Sequence, residues 1–205
     1  MNAFGFDYEF LPSHSDRVLL LLHGTGGNEY DLIPLGRALD PAAALLSPRG
    51  QVLENGAPRF FRRLAEGVFD EADVIARAKE LAQFVRDAAN AYRLGHVTVV
   101  GYSNGANIAS AIMLLGLMKF AGAILFRPMV PLSKSPAAIN LTGQRVLVSA
   151  GEFDPIANAT QVKMLVELFR ERGAEVEVAS QQSGHELNSA DLGVARDWLA
   201  AAAIA

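Results

Sequence analysis

Apolar positions follow two alternating rhythms along this chain. Continuous apolar runs, of which Val18 to Leu22 is the clearest, predict strands buried on both faces. Between them, apolar residues three and four apart predict amphipathic helices. In chain order the pattern gives a strand at Val18–Leu22, a short helix at Asp31–Leu39 and a weaker strand at Ala43–Ser47, stopped by Pro48 and Gly50. The longest helix opens at Asp70, with an acidic first turn (Asp70, Glu71, Asp73) that suits the helix dipole. Its apolar face is Val74, Ala78, Leu81, Val85, Ala89 and Tyr92, and Gly95 is the expected stop. Then follow a strand at His96–Gly101, a helix at Asn104–Leu117, a strand at Ala121–Phe126 and a proline-rich Arg127–Pro136. A strand at Arg145–Ala150, a helix at Ala159–Arg172 ended by Gly173, a strand at Glu175–Ser180 and a helix at Ser189–Ala202 complete the series. Strands alternating with helices predict an α/β fold, a mostly parallel, doubly wound sheet with helices on both faces. No repeat or linker interrupts residues 1–205, which read as one domain with only an alanine-rich tail from Ala200.

Composition narrows the chemistry. The 205 residues contain no cysteine, which excludes a disulfide framework, a cysteine-ligated metal and a thiol nucleophile. Twenty-two acids against 18 bases give a net charge of −4, so nucleic acid is not an expected partner. The N-terminus lacks a basic region followed by an apolar one, so a cytoplasmic location is expected. Val97 to Met118 is uncharged and long enough to span a bilayer, but Ser103, Asn104, Asn107 and Ser110 interrupt it. A buried strand followed by a buried helix is the better reading. No cofactor and no metal are called for, and a homodimer is left open.

Ligands of open parallel sheets bind beyond the carboxyl ends of the strands. Gly101-Tyr102-Ser103-Asn104-Gly105 stands between a strand and a helix, the context that the Gly-x-Ser-x-Gly nucleophile elbow requires. The flanking glycines let strand and helix approach closely, and the helix N-terminus favours a developing anion. The order of partners in such sites is Ser, acid, His. Of His14, His23, His96 and His185, only His185 follows Ser103. His23 is expected to hold the adjacent glycine-rich loop, and His96 to be a strand-end residue. Among the intervening acids, Glu167 and Glu171 belong to a helix, and Glu175 and Glu177 to a strand. Asp154, fixed by Pro155 just past a strand end, is the expected partner of His185, with Glu152 as the alternative. The oxyanion donors are expected to be the backbone N–H groups of Asn104 and of Thr25 in the first glycine-rich loop. Gly24-x-Gly26 also opens like a dinucleotide fingerprint, but Glu29 stands where the third glycine belongs.

The segments Leu22 to Leu32, Gly101 to Asn107, Gly151 to Pro155 and Ser183 to Leu187 together resemble the phospholipase/carboxylesterase family of α/β-hydrolases. That family includes acyl-protein thioesterases and many small bacterial esterases. Pro58–Arg63 with Gly67–Asp70 looks most like the bacterial branch that includes hydrolases linked to quinone stress. The resemblance implies a Ser103–Asp154–His185 triad, oxyanion donors at Thr25 and Asn104, and a small-molecule ester as substrate. Acyl-protein thioesterases usually carry Gln where this chain has Asn104, and their lipid-accommodating regions are not matched here. Only Arg127–Gln144 is expected to cover the site, which points to an open cleft for a small or aromatic ester. Phe61, Arg62, Arg63, Arg127 and Met129 are the candidate substrate contacts, an arginine being suited to a substrate carboxylate. Phe60 belongs to the same loop, and Trp198 is expected in the core. The alternatives are a thioesterase or lysophospholipase-type acyl hydrolase, and a non-catalytic binding protein that reuses the fold.

Overall fold

A computed structural model describes residues 2–134, 136 and 138–202. Residues 203–205 of the alanine-rich tail, and Ser135 and Ala137 of the covering segment, lie outside the described residues. The elements in order are β1 (Asn2–Ala3), β2 (Phe6–Leu11), β3 (Arg17–Leu22), α1 (Ile33–Leu39), β4 (Ala44–Pro48), β5 (Val52–Glu54) and β6 (Ala57–Arg59). Then come β7 (Arg63–Ala65), β8 (Val68–Phe69), α2 (Glu71–Tyr92), β9 (His96–Tyr102), α3 (Asn104–Leu114) and β10 (Gly122–Phe126). Strand β11 (Arg145–Gly151), α4 (Ala159–Glu171), β12 (Glu175–Gln181) and α5 (Ser189–Ala202) complete the chain.

One eight-stranded sheet runs β1-β2-β4-β3-β9-β10-β11-β12. The two pairings at the β1 edge are antiparallel, and every pairing from β4 to β12 is parallel. The apolar runs alternate across it as a strand's period of two demands. Val18, Leu20 and Leu22 face one core with α2, α3 and α4, whereas Leu19 and Leu21 face a second core with α1 and α5. Trp198 of α5 is buried in that second core, with the Arg145 guanidinium 4.6 Å from its ring. The sheet is thus covered on both faces, and the charge-free stretch through Ser103 is β9 followed by the fully buried α3. Among the described residues no helix is long and apolar enough to cross a membrane.

Three boundaries differ from the sequence reading by more than one residue. Helix α2 stops at Arg93 rather than Gly95: Arg93 adopts the left-handed conformation (φ 54°), and the N–H groups of Arg93 and Leu94 both turn back to the Ala89 carbonyl. Helix α3 ends at Leu114, three residues early, where Gly116 (φ 65°) and the Leu117 N–H to Ile112 carbonyl bond of 3.0 Å close it. Helix α1 begins at Ile33 because Asp31 accepts from the Asn28 N–H and Asn28 from the Tyr30 N–H, making a turn of residues 28–31. Two small hairpins, β5–β6 and β7–β8, were also not expected.

Candidate active site

The sheet's carboxyl edge collects the candidate residues because β3, β9, β10, β11 and β12 all point the same way. Ser103 lies between β9 and α3 with φ 51° and ψ −112°, a conformation a side chain rarely adopts. The turn is so tight that a β-carbon on Gly105 would stand 1.9 Å from the Leu22 carbonyl oxygen, and one on Gly101 2.7 Å from the Ala106 backbone. The Ser103 N–H donates to the Phe126 carbonyl at 2.9 Å. Its hydroxyl occupies the N-cap position of α3 yet caps nothing. Instead it donates to His185 Nε2 at 2.9 Å.

The other imidazole nitrogen, Nδ1, donates to Asp154 Oδ2 at 2.7 Å. Asp154 is buried, and its Oδ1 accepts from the N–H groups of Ile156 (2.8 Å) and Ala157 (2.9 Å). Its carboxylate is therefore fixed from one side and offered to the ring from the other. Glu152, the alternative acid, is exposed. Among the described residues, the Thr25 and Asn104 N–H groups meet no acceptor. Thr25, Ser103, Asn104 and His185 all line one cavity of about 180 Å³.

His23 holds the first glycine-rich loop. Buried to 1% exposure, it donates from Nδ1 to the Gly24 carbonyl (2.6 Å) and accepts the Gly50 N–H on Nε2 (2.9 Å). Burial lowers its pKa, more than the hydrogen bond to Gly24 raises it. Glu29, at the failed third-glycine position, is buried and paired through both oxygens with Arg49 at 2.5 and 2.6 Å. Among the described residues, no three His, Asp or Glu side chains converge as metal ligands.

Of the five candidate substrate contacts, the structure brings two to the cavity, Arg63 and Met129. Met129 is fixed by its N–H, which donates to Asn107 Oδ1 at 2.7 Å. Phe61 is fully buried core, edge-on to Phe69 at 5.1 Å, so the cavity presents Phe69 instead. Arg62 points outward, 63% exposed, and pairs with Asp70 at 3.1 Å. Arg127 is wholly buried, bonded to Asp191 and to the loop around His185, so no part of it is free for a ligand. Nor is Arg127–Gln144 the only cover, because Glu66, Gly67 and Phe69 of the β7–β8 hairpin also wall the cavity.

Sequence reasoning missed Arg59. It is 2% exposed and lines the cavity. Its Nε–H donates to the Phe61 carbonyl at 3.1 Å and Nη1 to Thr25 Oγ at 2.8 Å, which ties the first loop to β6. Glu54 Oε2 lies 3.2 Å from Nε, while Glu54 Oε1 takes the Arg63 Nε–H at 2.8 Å. Two guanidiniums thus share one carboxylate. Burial pulls the Arg59 pKa down, Glu54 raises it and Arg63 lowers it. Its signal in the sequence was an arginine between Pro58 and two phenylalanines, four residues before Arg63.

The sequence model of the dienelactone hydrolase family matches residues 54–191. The chain belongs to that family. MhqD of Bacillus subtilis (strain 168) is 47% identical over 186 residues, covering 90% of this chain and 92% of that one. A carboxylesterase structure from Bacillus cereus is 43% identical, covers 96% of this chain and 94% of its own, and superposes with a TM-score of 0.91. A carboxylesterase from Mesorhizobium loti is 37% identical over 95% of this chain and 94% of its own, with a TM-score of 0.89. YahD, solved with malic acid, is 28% identical over 96% of this chain and 99% of its own, with a TM-score of 0.91. The α/β-hydrolase fold and the esterase family that the motifs implied both stand, and the protein is a hydrolase.

Proposed function

We propose that the protein is a serine carboxylesterase that cleaves small carboxylic esters through an acyl-serine intermediate. The observation that carries this reading is Ser103, strained at a strand-to-helix turn with its hydroxyl 2.9 Å from His185 Nε2. His185 takes the hydroxyl proton as Ser103 attacks the ester carbonyl. Asp154 keeps the ring in the tautomer that leaves Nε2 free, and stabilises the imidazolium. The Thr25 and Asn104 N–H groups, which meet no acceptor among the described residues, receive the oxyanion. His185 then protonates the leaving alkoxide and activates the water that frees the acid.

Ser103→Ala should lower turnover of p-nitrophenyl acetate by about 10⁴–10⁶-fold without changing the melting temperature. It should also abolish labelling by a fluorophosphonate. Activity near wild type in this variant would remove the serine mechanism. A cavity of about 180 Å³ favours a short acyl group over the long chain of a lysophospholipid or a palmitoylated protein. Turnover across p-nitrophenyl esters should therefore fall beyond four to six carbons, on the order of one such cavity's capacity. A maximum at long chains would overturn that size limit.

The cavity's charge refines the substrate. Arg59 and Arg63 both line it, sharing Glu54, against Glu66 as the lining carboxylate, and the relative YahD was solved with malic acid, a dicarboxylate. We infer that an ester bearing a carboxylate is favoured. Arg63→Gln should raise KM for a mono-p-nitrophenyl dicarboxylate by about tenfold, as loss of one charge-assisted hydrogen bond does. The same change should leave KM for the neutral acetate within about twofold. Equal effects on both substrates would show that Arg63 does not read charge.

A further inference from the structure

Arg127 is the largest fully buried side chain, and the mechanism above does not use it. It follows β10 with φ 51°, in the left-handed region that disfavours a β-carbon. Such a conformation persists only where the surroundings over-determine it. Here they do. Nε–H donates to the Gly184 carbonyl at 3.0 Å. Nη1 donates to the Ser149 carbonyl at 3.2 Å and to Asp191 Oδ1 at 2.8 Å. Nη2 donates to Asp191 Oδ2 at 2.7 Å, the Glu186 carbonyl at 3.0 Å and Ser183 Oγ at 2.9 Å. All five N–H groups of the guanidinium are engaged.

Three of these acceptors, the Gly184 and Glu186 carbonyls and Ser183 Oγ, belong to the loop that carries His185. Its four successive carbonyls each have a donor from another part of the chain. Ser183 accepts from the Phe153 N–H at 3.0 Å, and His185 from the Tyr102 hydroxyl at 3.2 Å. Gly184 and Glu186, on either side of His185, both accept from Arg127. Asp191 completes the clamp. It accepts from the Ser149 hydroxyl (2.5 Å) and the Asn188 N–H (2.9 Å) besides Arg127, so the guanidinium is itself held in place.

We propose that Arg127, backed by Asp191, is a positioning residue that fixes the backbone on both sides of His185 and so aims Nε2 at Ser103. The inference rests on the serine-esterase reading above. A lysine can keep the charge beside Asp191 but has three donors on one point and cannot span Gly184 and Glu186 together. Arg127→Lys is therefore expected to fold, as read by circular dichroism, with kcat for a short ester lowered about 10²-fold. KM should stay within about twofold, because Arg127 does not line the cavity. The downfield proton resonance of the His185 Nδ1–H bond to Asp154 should broaden or vanish in the folded variant.

Should the lysine variant fail to fold, Arg127→Met combined with Asp191→Leu removes both buried charges together. Removing both avoids leaving either charge buried without its partner, the strongly destabilising case. It is expected to give the same fall in kcat with KM retained. Wild-type kcat in either folded variant would overturn the proposal. So would a parallel rise in KM with an unchanged downfield proton, which a purely structural role would give. Ser103→Ala measured alongside separates the two ideas: if it remains active the esterase reading fails, whereas an inactive Ser103→Ala with a fully active Arg127→Lys refutes the clamp alone.

Discussion

Asp154 shows how much a single side chain can decide. Its two oxygens have different tasks, one accepting two backbone N–H groups and the other the His185 ring. In Asp154→Asn the amide oxygen would remain on the backbone donors, because the amide nitrogen cannot accept from them. The NH₂ group would then face Nδ1, which must lose its proton to accept. Nε2 would carry the proton instead and could no longer receive one from Ser103. The expected outcome is a loss of about 10⁴ in kcat, as in other triads with this change. A steady-state assay with a short ester checks it, with unfolding curves to confirm that the fold is kept. An effect below tenfold would mean that the Asp154 carboxylate does not set the tautomer. Ser103, Asp154 and His185 could each be singled out in the sequence because the roles proposed for them impose an order and small neighbours. Arg127 could not be placed that way. As a residue type it looks like a surface or ligand-binding cation, and only the tertiary fold brings Asp191 and the His185 loop to it.

At the scale of elements, the site depends on how closely α3 sits on β3. Gly105→Ala would drive a β-carbon to 1.9 Å from the Leu22 carbonyl oxygen, with the His23 carbonyl at 2.6 Å. Both obstacles are backbone, so no side chain can swing aside. The helix would have to lift from the sheet, and with it the Ser103 turn. A loss of more than about 3 kcal/mol of stability is expected, beyond ordinary overpacking of a core. Urea unfolding of the variant measures it, and a loss under about 1 kcal/mol would mean the turn is more compliant than its geometry implies. The parallel strands and long helices were legible because burial on both faces leaves unbroken apolar runs, and one-sided burial leaves a spacing of three and four. The hairpins that wall the cavity were not read, although Asn55-Gly56, with φ 51° and 83°, is a strong two-residue turn signal. Their strands are two or three residues long, too short for a period to emerge. Strand β2 shows Phe6, Tyr8 and Phe10 in alternation, but it lies next to the two-residue edge strand β1, and Glu9, Phe10 and Leu11 are only half-buried, which dilutes the pattern.

For the whole molecule, several buried or paired groups respond to acid in the same direction. His23 is held neutral by burial, with its pKa below the usual histidine value. Glu29 is held below the usual carboxylate range by Arg49. In Asp191 burial acts to raise the pKa, but hydrogen bonds from Arg127, Ser149 and Asn188 outweigh it and the net shift is downward. A folded-state pKa below the unfolded one means that the unfolded chain binds more protons as the pH falls. Each group therefore contributes stability that is complete above its unfolded pKa and is lost as the pH drops towards its folded one. His23 acts first, from about pH 6.5 downward, and the carboxylates act below about pH 4.5. Urea midpoints should be level from pH 8 to 7, decline below about 6.5, and fall steeply below about 4.5. His23→Gln isolates the first step. It loses part of the Gly24 and Gly50 hydrogen bonding and should be less stable than wild type at pH 7.5. Lacking the titration, it should decline less between pH 6.5 and 5, so the gap to wild type narrows. A gap that stays constant over that range would show that His23 does not link proton binding to the fold.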